Sequence, residues 1–499
     1  MASRQCRPDS GSALIKNDSP PNFALGRRLM TFIGGIAALF ETSVSGRKLK
    51  RPSPAPGVEA DSDSLAGRGT AAAIQAGVYL RGLLEAKAGD RNFEDIAETV
   101  PGGDHQRVQH FISDTPWDDG KVLAEVSSRA NGLLGGTPMS FLIGDESGFS
   151  KKGGSSVGVA RQHNGRLGKV DNCQVGVFVA LAAGCRATLL EGRLYLPQDW
   201  CDDPARCAKV KIPEAARTFK TKAQILLEMV RDQRARGVEF QWVSTDAGYG
   251  RDPAFLRALE ADGEIFVSDV QARQRIWTED PMPGPPMLRG SRPAGTKTRV
   301  FTPGFEVRQW AAAQPPEAWT RFKRRDGING ALRGEFIHQR VYLWDGKEER
   351  TRCWHLLAWR PEESSSEIKY VLSNASADIP LLDLARMAAS RFWVERALQD
   401  AKGAAGMGEY QMRGWMGWHH HMAMVMLAMI FMLRERVLLA EELPLLTAED
   451  IVWMIERYLP KPNVTEDEIQ KALARRHRRR QTDIDSSKRR NPMILEDIL

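Results

Sequence analysis

The chain has 499 residues, of which 42% are hydrophobic and 27% charged, and carries a net charge of +7. Such a length exceeds one typical core and calls for roughly two to four domains, and the balance excludes a disordered or fibrous protein. The basic residues are bunched, which favours a polyanionic partner, nucleic acid over membrane.

Residues 1–67 read as a poorly ordered arm and linker, ending in the Pro52-Ser-Pro54-Ala-Pro56-Gly57 and Asp61-Ser-Asp-Ser64 stretches. Within them, 30–40 is apolar and follows Arg27-Arg28 in the manner of a secretion signal. It starts late, lacks a small-residue cleavage site and is too short to span a bilayer, so it reads as a core helix, as does 422–433. The cysteines Cys6, Cys173, Cys185, Cys201, Cys207 and Cys353 show neither CxxC nor zinc spacing. They read as free thiols of a cytoplasmic protein.

Residues 68–136 form a helical domain, with helices expected over 71–85 and 117–134. Between them, 92–100, the turn Pro101-Gly102-Gly103 and 104–113 have the form of a helix-turn-helix. Its second helix would offer His105, Gln106, Arg107, Gln109 and His110 to bases or phosphates. An ordinary helical hairpin is the other reading of the same pattern.

From 137 to 279 strands and helices mix. A buried strand, 140–143, leads through Gly144 into Asp145. The β-rich segments 172–183 and 186–196 break at Gly184 and pair antiparallel. A helix over 214–236 precedes the strand 238–243, which leads to Asp246 and the turn Gly248-Tyr249-Gly250. A helix over 253–260 and a strand over 265–270 follow. This order predicts a mixed sheet flanked by helices. Residues 280–375 carry β-prone runs at 298–301, 307–311, 336–343, 353–359 and 369–372, and read as a separate, inserted β subdomain.

Residues 376–435 return to helix. One helix is expected over 381–403, and at 100° per residue it brings Arg391, Glu395 and Lys402 within about 40° of one another. A solvated charged face with an i,i+4 pair is the plain reading. Residues 436–499 form a C-terminal helical region, with Thr447 capping one helix and Thr465-x-x-Glu468 forming a capping box for the next. The latter runs into Arg475-Arg476-His477-Arg478-Arg479-Arg480, a basic tail suited to nucleic acid or an acidic partner protein. His419-His420-His421 are consecutive on a helix, point about 100° apart and cannot share one metal ion; they read as surface and packing histidines.

Asp145, Asp246 and Glu395 are three carboxylates delivered by rigid elements. Brought together they raise one another's pKa and need countercharge, which a hard divalent cation supplies. Asp145 and Glu146 fall on opposite faces of a strand. Lys151, Lys152, Arg161 and Lys169 form either a solvated loop or a set of phosphate contacts. In Trp319-Thr-Arg321-Phe322-Lys323-Arg324-Arg325, Trp319 and Phe322 either stack an unpaired base or belong to a sheet core.

The residues as a set resemble bacterial insertion-sequence transposases of the DDE type, across roughly residues 70–435. The resemblance rests on Asp145-Glu-Ser-Gly148-Phe149-Ser-Lys151-Lys152-Gly153, Ser156-Val-Gly158-Val-Ala-Arg161-Gln162 and Gly168-Lys169. It continues through Asn172-Cys-Gln174-Val-Gly176, Asp246-Ala-Gly248-Tyr249-Gly250, Trp393-Val-Glu395, Lys402, Gly406 and Tyr410-x-x-Arg413. It implies an RNase H-like core, with Asp145 rather than Glu146 as the first acid, Asp246 as the second and Glu395 as the third. It also implies two Mg²⁺ or Mn²⁺ ions held by these acids, and double-stranded DNA as substrate. Arg391, Lys402 and Arg413 are then expected at DNA phosphates, and a homodimer around two element ends. The branch that cuts through DNA hairpins carries a Tyr, Arg, Glu, Lys signature; Ala388 stands here in place of the Tyr. The function implied is binding of terminal inverted repeats, metal-dependent cleavage and strand transfer. The alternatives are a catalytically inactive DNA-binding regulator and an RNase H-like nuclease that cuts without joining.

Overall fold

A computed structural model describes residues 24–40, 70–165, 167–284, 298–327, 330–362, 367–459 and 465–490. The N-terminal part is helical: α1 (Leu25–Ile36), α2 (Ala71–Glu85), α3 (Phe93–Thr99), α4 (His105–Ser113) and α5 (Asp119–Leu134). Thr70, Asn92, Asp104 and Asp118 each accept a backbone N–H bond at the start of α2 to α5, which fixes where these helices begin. Helix α1 corrects the reading of the N-terminal region as an arm: Leu29, Phe32 and Ile33 are buried, and Arg28 Nε donates to Glu435 at 2.7 Å. Its apolar face gives it a place in the core, as expected for 30–40; the Pro- and Ser-rich linker lies outside the described residues.

The sheet is built around β1 (Ser140–Ser150). β3 (Lys169–Ala183) runs antiparallel to it, and its outer edge pairs first with β2 (Ala160–Asn164) and then with β4 (Arg186–Leu194). On the other side of β1 lie β5 (Trp242–Thr245) and β6 (Phe266–Val270), both parallel to it in sense. An antiparallel meander joined to two parallel strands is an RNase H-like arrangement. Val175, Val177, Phe178, Val179 and Leu181 of β3 are all buried, because helices cover both faces.

Two short helices, α6 (Gln198–Cys201) and α7 (Pro204–Lys209), lead to α8 (Lys222–Ala235). The expected helix over 214–236 is thus a 3-10 turn, Glu214–Ala216, followed by α8. The break follows from Thr221 and Gln224, which form a reciprocal capping box and restart the helix. A Cβ at Gly144 would lie 2.4 Å from Leu226, so α8 packs directly on β1 because that position has no side chain.

The short turn α9 (Ala247–Gly250) and α10 (Pro253–Ala261) connect β5 to β6. β7 (Arg275–Ile276) pairs with β8 (Phe305–Glu306), and α11 (Val307–Ala312) follows. Residues 307–311, expected as a strand, are helical because Glu306 and Gln309 cap them reciprocally. β9 (Thr320–Gly327), β10 (Gly330–Leu343), β11 (Arg352–Pro361) and β12 (Lys369–Ser373) do not stand apart as the expected subdomain. They extend the same sheet in the order β2-β3-β1-β5-β6-β12-β11-β10-β9, with β12 antiparallel to β6. β12 takes the edge of β6 that β5 leaves free, and Phe266 packs edge-on against Trp354 of β11 with ring centroids 4.9 Å apart.

The expected helix over 381–403 is two helices, α12 (Leu381–Ala389) and α13 (Phe392–Gly403). At the junction the Ser390 N–H and Oγ both turn back to donate to the Met387 carbonyl, at 3.1 and 2.5 Å. α14 (Trp415–Leu438) is buried around most of its circumference, and Asp400 of α13 pairs with Arg396 at 2.9 Å and with Arg436 of α14 at 3.7 Å. α15 (Ala448–Tyr458) starts at the Thr447 capping box, and α16 (Glu466–Arg490) holds the basic run. Among the described residues no helix is long and apolar enough to cross a membrane.

Candidate active site

Strand register brings the acids together. Ile143 is level with Ser244 across the β1–β5 pair, and Thr245 with Ser268 across β5–β6. Continuing each register places Asp145, Asp246 and Asp269 side by side across three neighbouring strands. β1 does not end at Asp145 as expected; it runs on to Ser150 against β3, while β5 stops at Thr245. The edge of β1 beyond Ile143 is therefore released by β5, at the point where parallel and antiparallel halves of the sheet divide, a usual place for a ligand crevice. Asp246 caps the turn that follows β5: its Oδ1 accepts from the N–H groups of Gly248 at 2.9 Å and Tyr249 at 3.3 Å. That turn presses on β6, since a Cβ at Gly250 would lie 1.9 Å from the Asp269 carbonyl oxygen.

Arg391 sits over these strands. Its Nη1 donates to Asp145 Oδ2 at 3.1 Å, its Nε lies 3.3 Å from Asp269 Oδ2, and its Nη2 donates to Glu395 Oε1 at 3.3 Å. One guanidinium thus gathers three carboxylates. Burial, followed by the charge of Asp246, pushes Asp145 up to about 6 against the pull of Arg391. Burial does the same to Asp269, which also reaches about 6 although Arg391 and Lys369 lower it. Arg391 stands at the start of α13, where that helix follows α12. Lys402 lies seven residues beyond Glu395, roughly 10 Å further along the axis.

Asp145 and Glu146 are separated by the pleat. Asp145 is level with Phe178, on the face where Trp418 of α14 packs, whereas Lys222 Nζ of α8 pairs with Glu146 Oε2 at 2.6 Å on the opposite face. Asp269 escaped the sequence reasoning. The available signal was an acid closing a third strand beside the two already singled out.

The donors are oxygens only, the chemistry of Mg²⁺ and Mn²⁺ sites. Burial raises these carboxylates, and a divalent cation would offset that, so the residues fit such an ion. As they stand, no three His, Cys, Asp or Glu side chains among the described residues converge to hold a metal. Arg391 occupies the space between them.

The remaining candidates scatter. Lys152, Arg161, Lys169 and Arg413 are exposed, and the Arg413 carbonyl accepts from Val157 N–H at 2.9 Å. Lys151 turns inward instead of toward solvent: its Nζ lies 3.7 Å above the Tyr410 ring, and burial lowers it to about 8. Tyr410 Oη donates to Gln174 at 2.8 Å, and Asn172 Nδ2 donates to the Lys151 carbonyl at 2.6 Å, so these motif residues brace the segment after β1. Phe322, a candidate for base stacking, is 4% exposed and packs edge-on against Phe336 at 5.5 Å. It belongs to the sheet core because β9 turns it inward. Trp319 is partly exposed, with the Arg360 guanidinium 4.0 Å over its ring.

On α4, Gln106, Arg107, Gln109 and His110 are exposed while Val108, Phe111 and Ile112 are buried. Arg476, Arg478 and Arg480 of α16 are exposed, and Arg476 donates to Glu98 of α3 at 2.6 Å. The side chains of Arg475 and Arg479 lie outside the described set. Ala388 is buried. His420 stacks on Trp117 at 3.7 Å, and His421 Nδ1 lies 2.8 Å from Tyr79 Oη. Both are packing histidines.

An RNase H-like sheet with aspartates level on its central strands defines a class, and comparison of the sequence gives it a family. Residues 67–331 match the model of the DDE superfamily endonucleases, and the chain belongs to that family. The match contains Asp145, Asp246 and Asp269 and ends before Arg391 and Glu395. The chain is also 23% identical over 326 residues to the "Probable transposase for insertion sequence element IS701" of Microchaete diplosiphon, covering 64% of this chain and 72% of that protein.

Proposed function

We propose that this protein is the transposase of an insertion sequence. It binds the terminal inverted repeats, cleaves DNA at the element's ends and joins them to target DNA. The observation that carries this reading is the alignment of Asp145 and Asp246 on adjacent strands under the helix that bears Arg391 and Glu395. Asp145, Asp246 and Glu395 would hold two divalent ions, which supply an activated water or 3′-hydroxyl and stabilise the leaving oxygen. The family's endonuclease chemistry and the transposase relative support it.

The chain's own residues do the positioning. Arg391 carries N–H donors suited to a non-bridging phosphate oxygen. Lys152, Arg161, Lys169 and Arg413 offer further exposed cations, and α4 and α16 offer duplex contacts away from the chemistry. Two ends must be cut together, so the working form is a homodimer on DNA.

The test is cleavage of end-bearing duplexes with Mg²⁺ or Mn²⁺, scored for nicks at the 3′ ends and for joined products. Wild-type protein is expected to give both, with none in excess EDTA or with Asp246→Asn. Cleavage in excess EDTA overturns the metal reading. Nicks without joined products on any target point to a nuclease alone.

A further inference from the structure

We infer that Asp269 is a positioning carboxylate that retains Arg391 when a divalent cation takes Asp145, so that Arg391 acts as an internal cation exchanged for metal. This deepens the reading above and rests on it.

Arg391 pairs with three carboxylates, Asp145, Asp269 and Glu395, through separate nitrogens, Nη1, Nε and Nη2, and strand register sets Asp246 between Asp145 and Asp269. Each carboxylate meets a single nitrogen, Asp145 at 3.1 Å and Asp269 and Glu395 at 3.3 Å, and Asp145 is the first proposed metal ligand. A cation arriving at Asp145 repels the guanidinium and breaks that pairing. Asp269 lies one strand beyond Asp246, on the far side of the pair formed by Asp145 and Asp246. It can therefore keep Nε while Nη1 swings free. Glu395 is the weaker tether, with its side chain 57% exposed against 21% for Asp269.

Asp269 is also well fixed. Its backbone is clamped between the Gly250 turn on one side and the pairing of Asp269 with Val371 of β12 on the other. The turn clamped against it is the one that Asp246 caps, so the anchor for Arg391 and the second acid form one rigid unit. Arg391 is the residue that opens α13, at the junction with α12. Asp269 thus acts through Arg391 and is not itself a ligand.

The experiment measures Mn²⁺ binding to the full-length protein without DNA, by titration calorimetry, for wild type, Asp145→Asn, Arg391→Gln, Asp269→Asn and the Arg391→Gln/Asp269→Asn double variant. Arg391→Gln removes the competing cation and should tighten Mn²⁺ binding about tenfold, a gain that misfolding cannot imitate. Asp269→Asn leaves Arg391 to pair more fully with Asp145 and should weaken binding by a similar factor. In the Arg391→Gln background the Asp269 substitution should have no effect, because coupling through one residue disappears when that residue is gone. A loss that persists in that background makes Asp269 a ligand and overturns the inference. Unchanged Mn²⁺ binding in Asp269→Asn or in Arg391→Gln overturns it as well, while leaving the proposed function intact. Mn²⁺ binding that is absent, or indifferent to Asp145→Asn, overturns both.

Discussion

Asp145 and Glu146 are neighbours in sequence and belong to different faces of the molecule: Arg391 donates to Asp145 at 3.1 Å, and Lys222 pairs with Glu146 at 2.6 Å behind the sheet. The two acids should therefore separate cleanly on substitution. Asp145→Asn is expected to abolish cleavage. Glu146→Gln should leave it within a few-fold of wild type and cost about 1 kcal/mol of stability or less, the scale of a partly exposed ion pair. Urea denaturation beside an end-cleavage assay measures both, and a Glu146→Gln protein that folds but cannot cleave would contradict the assignment.

Phe322 and Trp319 should part in the same way. Phe322→Ala empties a core position and is expected to cost about 3 kcal/mol or more, visible as a lowered urea midpoint. Trp319→Ala should leave stability nearly unchanged and weaken binding to element ends by the loss of one stacking surface, on the order of 1–3 kcal/mol. Equal binding by Trp319→Ala and wild type would leave Trp319 as a surface residue paired with Arg360.

Truncation after Ala474 removes the basic half of α16, including the ion pair of Arg476 with Glu98. Affinity for element ends and for random duplex should fall together, since phosphate contacts carry no sequence information. The slope of log affinity against log salt should flatten by about 0.9 for each phosphate that the shortened chain no longer neutralises. A loss confined to element ends would make the tail a sequence reader.

Burial pushes His421 down to about 4. Tyr79 Oη donates to its Nδ1 and its Nε2–H faces the Met407 carbonyl, a pattern that only the neutral ring satisfies. A folded pKa below the ordinary value of about 6.5 means that the unfolded chain takes up the proton first. The stability tied to the neutral ring is present above about pH 6.5 and is lost as pH falls towards 4, at about 1.4 kcal/mol per pH unit. His421→Gln keeps an acceptor for Tyr79 and a donor for Met407 without titrating. Between pH 6.5 and 5 its stability should therefore fall less steeply than that of wild type in urea denaturation. Parallel curves would contradict the role.

Much of this was legible in the sequence wherever a local rule governed. The alternation and β-branching of 172–183, the turn at Gly184, the cap at Thr447 and the uniformly apolar α14 each specify their own conformation. Asp145 and Asp246 were visible because each follows an apolar, strand-like run. What depended on distant partners was not. Lys151 reads as a loop cation until Tyr410, far along the chain, supplies a ring beneath it. β9–β12 read as a separate unit because nothing local says that β12 pairs with β6. Asp269 gains meaning only when β6 lies beside β5 and Arg391 arrives from a helix more than a hundred residues later. The split of α12 from α13 is a local tightening at Ser390, where backbone and hydroxyl both turn back to Met387, and good helix formers on either side hide it.

Under the proposed function, Glu395 completes a metal-dependent catalytic set with Asp145 and Asp246. Glu395→Gln keeps the size and hydrogen-bonding capacity of the side chain and removes its charge. The decisive measurement is end binding by gel shift together with single-turnover cleavage for this one variant. End binding is expected within about twofold of wild type, and the cleavage rate several orders of magnitude lower, each tenfold being about 1.36 kcal/mol of transition-state stabilisation. Cleavage at the wild-type rate by Glu395→Gln would contradict the account.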